Sequence, residues 1–453
     1  MMSDDGNDPQ HSGIFYGWIV IGAIFVIVVL NAGISMSFGV FLNPLVDAFG
    51  WTRGNVSLAY SISMIFGGLC TLAVGGLLDR YSIRKIILWG GLIHAAGIML
   101  TATTRELWQF YLFYGLLASM GRSTFNLSYV ILVNRWFHEK RGIAMGSITS
   151  GQGMGRFLFS PFASYLIVSY SLKTAFFDIG AMMAIGIVLV CLFIRNSPEE
   201  MGLRPLGAPP EASGVKVTTP SKVPGQTRVS RDTGEIWGEI VRTESFWLLS
   251  LTHFFCCICH AIPLVHVAAF ANVTGISALT SAWLLGTMGL MSFVGRLYWG
   301  FFADKHGSRF TLMLTTILQA VFMLWLINTA DAIVFFLFAV FWGFGYAGVT
   351  MQYGIIARDV FPKHIISSAY AGVSCFAMVG MALGGYLGGA LFDISHTYII
   401  SWWASLICGL IAALLAMDIA RKAEQEKRTS LDATTLATET ADGVSDHATG
   451  TML

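Results

Sequence analysis

Three arginines stand inside long apolar runs of this 453-residue chain: Arg122, Arg156 and Arg296. A charged side chain at mid-bilayer costs at least about 2.5 to 3.5 kcal/mol even on lenient insertion scales, so it normally faces a cavity, a partner or a ligand. Arg296 precedes Asp304 by eight residues, roughly 12 Å along a helix axis at about 1.5 Å per residue. Its neighbours Ser292 and Gly295 offer no carboxylate one turn away. A guanidinium is a planar fork of donors that fits a carboxylate bidentately, so Arg296 is expected to anchor an organic anion. Arg122 and Arg156 lie at similar depth and read first as structural, reaching a polar seam or exposed carbonyls. Should Arg122 turn inward, two facing cations would favour a dicarboxylate.

Other side chains in the apolar runs could complete such a site. His266 follows Pro263, which removes a backbone donor and suggests a bent or broken helix of the kind that lines cavities. An imidazole there can donate to a carboxylate or titrate near neutral pH. Tyr129, Asn126 and Tyr346 add hydroxyl and amide donors, Ser292 lies one turn before Arg296, and Met36 belongs to a wall running from Asn31 to Phe38. Tyrosines also pack through their rings while the hydroxyl finds any acceptor. The run Cys256-Cys257-x-Cys259-His260 has metal-like spacing, yet it has no second ligand pair and reads as helix packing. No cofactor loop or pair of catalytic groups appears, so neither an enzyme nor a cofactor is expected.

The elements that must hold these residues are membrane helices. Only 12% of the residues are charged and 55% are hydrophobic, against about 25% charged in a soluble globule; the mean hydropathy is +0.67. The seven cysteines all fall in apolar runs, so no disulfide framework is indicated, and a net charge of +1 gives no case for nucleic acid. Twelve apolar stretches near the length of a span occur at 16–46, 54–78, 86–104, 107–134, 142–170, 174–194, 246–272, 278–303, 310–328, 331–357, 366–392 and 396–418. They form an N-terminal six-helix bundle (16–194) and a C-terminal one (246–418), flanking a cytoplasmic linker at 195–245. Short tails occupy 1–15 and 419–453, the second without hydrophobic periodicity and expected to be disordered. With both termini inside, most Lys and Arg residues fall on the cytoplasmic side and only Arg53, Arg105 and Lys173 outside, as the positive-inside rule asks.

A phrase repeats between the halves: Gly75-x-x-x-Asp79-Arg80-x-Ser82-x-Arg84 and Gly300-x-x-x-Asp304-Lys305-x-Gly307-x-Arg309, each joining the second and third span of its half. Paired halves of this kind suit alternating access. The acids Asp79 and Asp304, with Arg80, Arg84, Lys305 and Arg309, are expected to gate, making a cytoplasmic latch in one conformation and releasing it in the other. Small residues recur about four apart at Gly142, Gly146, Ser150, Gly151 and Gly155, and again at Gly380, Gly384, Gly388 and Gly389. These stripes are expected to be the surfaces across which the halves meet.

The repeated loop resembles the signature of the major facilitator superfamily. Three further segments resemble its monocarboxylate transporter and oxalate/formate antiporter branch: Tyr16-Gly17-Trp18, Asn134-Arg135-Trp136-Phe137-His138-Glu139-Lys140-Arg141-Gly142 and Ser197-Pro198-Glu199-Glu200-x-Gly202-Leu203-x-Pro205. The likeness runs over residues 15–420 and implies the all-α, twelve-helix, two-bundle fold. It implies a carboxylate-binding role for Arg296 and a histidine in the region of His266, before Gly275-Ile276-Ser277. The lysine that oxalate-type members carry on the eleventh helix is absent from 366–392. Ser35, Met36 and Ser37 stand where some proton-coupled relatives have a lysine, and Ser292 where they have an acid, so that relay does not carry over. The expected function is secondary transport of small organic anions across the cell membrane, monocarboxylates with proton symport, or exchange of a dicarboxylate against a counter-anion. A transporter-like sensor is the alternative of another class, and neither linker nor tail supplies the long ordered domain that would favour it. The substrate, the coupling ion and the oligomeric state are not encoded in any motif.

Overall fold

In the computed structural model, residues 15–78, 80–208, 233–327, 331–362 and 364–422 are described. The first half comprises α1 (Tyr16–Phe49), α2 (Arg53–Leu78), α3 (Ile83–Thr101), α4 (Leu107–Trp136), α5 (Arg141–Ser169) and α6 (Leu172–Cys191). The second comprises α7 (Glu244–Val273), α8 (Ala278–His306), α9 (Ser308–Ile327), α10 (Ala332–Val360), α11 (Ile366–Ser395) and α12 (Ile399–Lys422). All but α5 are apolar and long enough to cross a bilayer. The exception spans 29 residues, and its Gly, Ser and Arg content keeps it from reading as a span by hydropathy alone.

Local chemistry sets the boundaries. Gly50 takes φ 68°, a left-handed turn that a side chain would oppose, and its N–H returns to the Val46 carbonyl to close α1. The Ser171 hydroxyl accepts from the Thr174 N–H to start α6, and Ser277 does the same with Thr280 for α8. The expected break at Pro263 does not occur: α7 runs helical from Glu244 to Val273 through it. Among the described residues the interruptions lie at Ser37 between the two segments of α1, in a π-helical stretch of α4, Tyr111–Ala118, and at Phe322 within α9.

The linker holds more order than its composition suggests. Thr233–Arg242 is an amphipathic helix with Ile236 and Ile240 packed on the second half, and Glu239 pairs with His364 at 3.0 Å. The other end of the linker docks on the first half. Asn196 Oδ1 accepts from the Ser82 hydroxyl (2.7 Å) and the Arg84 N–H (3.0 Å), and Leu206 bridges to Phe137. Tyr16, Trp18, Trp136 and Phe137 gather there, with Trp18 and Phe137 rings 4.9 Å apart. The three segments that carry the branch resemblance therefore meet in one aromatic and backbone cluster.

Among the described residues the halves touch mainly along α5 with α8, α2 with α11, and the second segment of α1 with α7, with a smaller contact of that segment to α8. Apart from Gly389, the glycine stripes do not lie on these seams as expected. Gly151 and Gly155 face α1 of their own half, and Gly380, Gly384 and Gly388 face α7 of theirs. The seams use glycines on the other side of the helices: Gly153 against Gly289, Gly385 against Tyr60, Gly389 against Arg53. A four-residue repeat marks the face that makes the closest packing, and that packing is inside each bundle.

Candidate anion-binding site

Midway along the seam lies a polar cavity of about 190 Å³. Asn31, Ser35 and Met36 of α1, Gly67 and Thr71 of α2, Arg122 and Asn126 of α4, Gln152 of α5 and Met378 of α11 line it. Arg122 donates to the Ser63 carbonyl and hydroxyl, both at 3.1 Å, so it is at once tied to a helix carbonyl and part of the cavity wall.

The other two arginines stand one side chain behind the wall. Arg296 donates through Nη2 to Gln152 Oε1 at 3.0 Å and through Nη1 to the Thr149 carbonyl, which bridges α8 of one half to α5 of the other. Arg156 donates to the Met36 sulfur at 2.8 Å and lies 5.9 Å from the centre of the Tyr346 ring. Arg156 and Arg296 are 2% and 8% exposed, and the Nε of each has no partner, so both keep donor capacity in reserve. Among the described residues none of the three forms an ion pair with an acid. The result is a concentration of positive charge at mid-depth with no internal neutralisation.

Of the remaining candidates, Tyr129 donates to Asn126 Oδ1 at 2.8 Å, which orients the amide that lines the cavity. Tyr346 stacks on Trp342 and meets His260 edge-on at 5.0 Å. Ser292 is buried on α8. His266 lies apart from the cavity, within 2.9 Å of the Gly385 carbonyl, with Ser57 and Tyr398 each at 3.5 Å. A carbonyl only accepts, so Nε2 carries the proton in this contact.

That contact belongs to a seal on the side opposite the linker. Asp393 at the end of α11 accepts the Arg53 N–H (3.0 Å) and the Gly54 N–H (2.7 Å), capping α2 across the halves where the helix dipole is positive. The Arg53 guanidinium lies 4.0 Å over Phe392, and Asn43 donates to the Ala269 carbonyl. Towards the linker, Gly142, Gly146 and Gly300 have open space where a Cβ would stand. The expected gating residues lie on this open side. Asp304 and Lys305 are exposed, Arg80 is exposed, Arg309 lines a surface concavity with Asp359, and Asp79 falls outside the described residues.

Sequence reasoning passed over Gln152, Thr149, Arg53 and Asp393. Gln152 had a signal, an amide one turn before Arg156 in the most polar of the twelve helices. The seal had none, because its partners lie more than 300 residues apart.

Two six-helix halves that meet around a cavity with an arginine in its wall, sealed across the halves on one face, define a membrane carrier. The model of the Major Facilitator Superfamily matches residues 24–295 and 249–441, and the chain belongs to that family. It is similar to monocarboxylate transporter 13 of Bos taurus, 25% identical over 87% of each chain. It is similar to monocarboxylate transporter 2 of Rattus norvegicus, 25% identical over 91% of this chain and 87% of the relative. Among solved structures, a bacterial homologue of the human lysosomal transporter spinster, inward-facing and unoccupied, shares the fold with a TM-score of 0.72. It covers 90% of this chain and 98% of its own at 15% identity.

Proposed function

We propose that this chain is a secondary active transporter of small monocarboxylates, coupled to protons, working by alternating access in the cell membrane with both termini cytoplasmic. The observation that carries the reading is a cavity whose lining contains Arg122 and no acid, with Arg156 and Arg296 bonded to its wall residues Met36 and Gln152 from behind. The relatives named for monocarboxylate transport support the substrate class.

Arg296 is the carboxylate anchor in this reading. Its fork is spent on Gln152 and Thr149, acceptors of the opposite half. An arriving carboxylate competes for the same donors, so binding neutralises the buried charge and removes a tie between α5 and α8. Substrate binding and movement of the halves are then one event. The acids and bases of the repeated loop, Asp79, Arg80, Arg84, Asp304, Lys305 and Arg309, would close the linker side in the opposite state. His266 would act through the far-side seal, where its contact to Ser57 of the other half is broken on opening while that to Gly385 of its own half is kept.

A second reading, exchange of a dicarboxylate, is favoured by one observation: Arg122 lines the cavity on the wall facing α8's half. Three cations are balanced better by two negative charges than by one. Uptake of labelled lactate, pyruvate and oxalate into proteoliposomes, with and without an inward proton gradient, separates the two. Gradient-driven monocarboxylate uptake lost in Arg296→Ala supports the first; oxalate uptake that requires internal dicarboxylate and is lost in Arg122→Gln supports the second. Ligand binding without uptake would point to a sensor.

A further inference from the structure

Outside the central cavity, the feature that transport leaves unexplained is a groove of about 620 Å³ between α2, α3 and α4. Its wall is apolar, with Val74, Leu77, Ile86, Trp89, Ile93 and Met120. It runs roughly 10 Å along α2 from Cys70 to Leu77 and roughly 12 Å along α3 from Lys85 to Ile93, at about 1.5 Å per residue. One leaflet of hydrocarbon is about 15 Å deep, half the thickness of a bilayer core. The groove therefore matches the depth of a single acyl chain.

Its linker-side end is basic. Tyr81 and Lys85 close the groove there, Lys85 is exposed, and among the described residues it makes no ion pair. Arg80 and Arg84 share the turn; these three cations less the single acid Asp79 leave the loop 79–85 at +2. The inner end reaches the transport machinery, because Ser123 lines both this groove and the central cavity, next to Arg122.

We propose that the groove is a binding site for an anionic phospholipid. One acyl chain lies along α2, α3 and α4, and Lys85 takes the phosphate of the headgroup with Arg80 and Arg84 adding to the field. The charge at the mouth selects an anionic over a zwitterionic lipid, as basic pockets between membrane helices do. Tyr81 and Trp89 are the amphipathic rings suited to headgroup depth. The chain terminus rests beside Ser123, so occupancy braces α4 where it carries Arg122.

The test uses the full-length protein in nanodiscs of phosphatidylcholine with small fractions of bromine-labelled phosphatidylglycerol or bromine-labelled phosphatidylcholine. The bromines quench nearby tryptophan, and the signal lost in Trp89→Phe is the part due to the groove. The expected result is half-maximal Trp89 quenching at about fivefold lower fraction for the anionic lipid, the factor one basic residue near the surface supplies. Lys85→Ala should remove that preference, and Ala73→Phe, which fills the groove without adding an indole, should weaken quenching by both lipids; thermal melting confirms that each variant is folded. Equal quenching by the two lipids in the native protein would mean ordinary boundary lipid and would overturn the proposal. A preference that survives Lys85→Ala would overturn the headgroup assignment.

Discussion

Arg296 ties α8 to α5 through Gln152 and Thr149, and in the proposed function the same fork of donors receives the anion. Removing hydrogen bonds to a charged group costs about 1.5–3 kcal/mol, which is roughly a 10- to 100-fold loss in affinity. Arg296→Ala should lose at least that much substrate binding by calorimetry. Arg296→Lys should recover only part of it, because an ammonium keeps the charge and loses the bidentate geometry. Gln152→Leu removes the competing acceptor. Its expected signature is tighter substrate binding, by several-fold, with slower turnover in the uptake assay; weaker binding would show that the amide contacts substrate instead. That Arg296 must find a hydrogen-bonding partner was readable from its place in an apolar run and its neutral neighbours. That Gln152 and Thr149 occupy it was not, since they lie on a helix of the other half and nothing local ties the two.

The helices carry a different lesson. Their number, length and order follow from apolar runs, and the observed bounds depart from the expected ones by only a few residues, as at 86–104 against Ile83–Thr101. Seams are another matter, because a glycine face fits any close neighbour. A Cβ on Gly289 would stand 2.7 Å from the Gly153 carbonyl, in backbone that has no room to move. Gly289→Leu should therefore lower the melting temperature and abolish uptake, in line with an overpacking cost of about 1–3 kcal/mol or more. Gly146→Ala, at a position with open space, should leave stability in this state unchanged. If both variants melt like the native protein, α5 and α8 do not pack as described.

The molecule as a whole is held on one side by the seal and free on the other. Asp393→Asn keeps the shape but loses the negative charge that caps α2 across the halves. Spin labels on the linker-side ends of α2 and α8 should show a shift towards shorter separations in this variant, as the population that opens on the seal side grows. Asp304→Asn should act in the reverse sense if the repeated loops latch the linker side, lengthening the same distance. Two unchanged distributions would remove both acids from gating.

The sequence by itself determined that the chain crosses a membrane in two related halves, because burial in lipid leaves an apolar record at every span and a charged loop survives in both copies. It also marked three arginines as costly enough to need a purpose. The tertiary structure decided which of them lines the cavity and which stand behind its wall, which glycines meet across the seam and where the seal lies. Those outcomes depend on rotation of each helix about its axis and on contacts such as Arg53 with Asp393, far apart along the chain. A span's hydropathy is nearly the same whichever way it is turned, so that information resides only in the packed bundle.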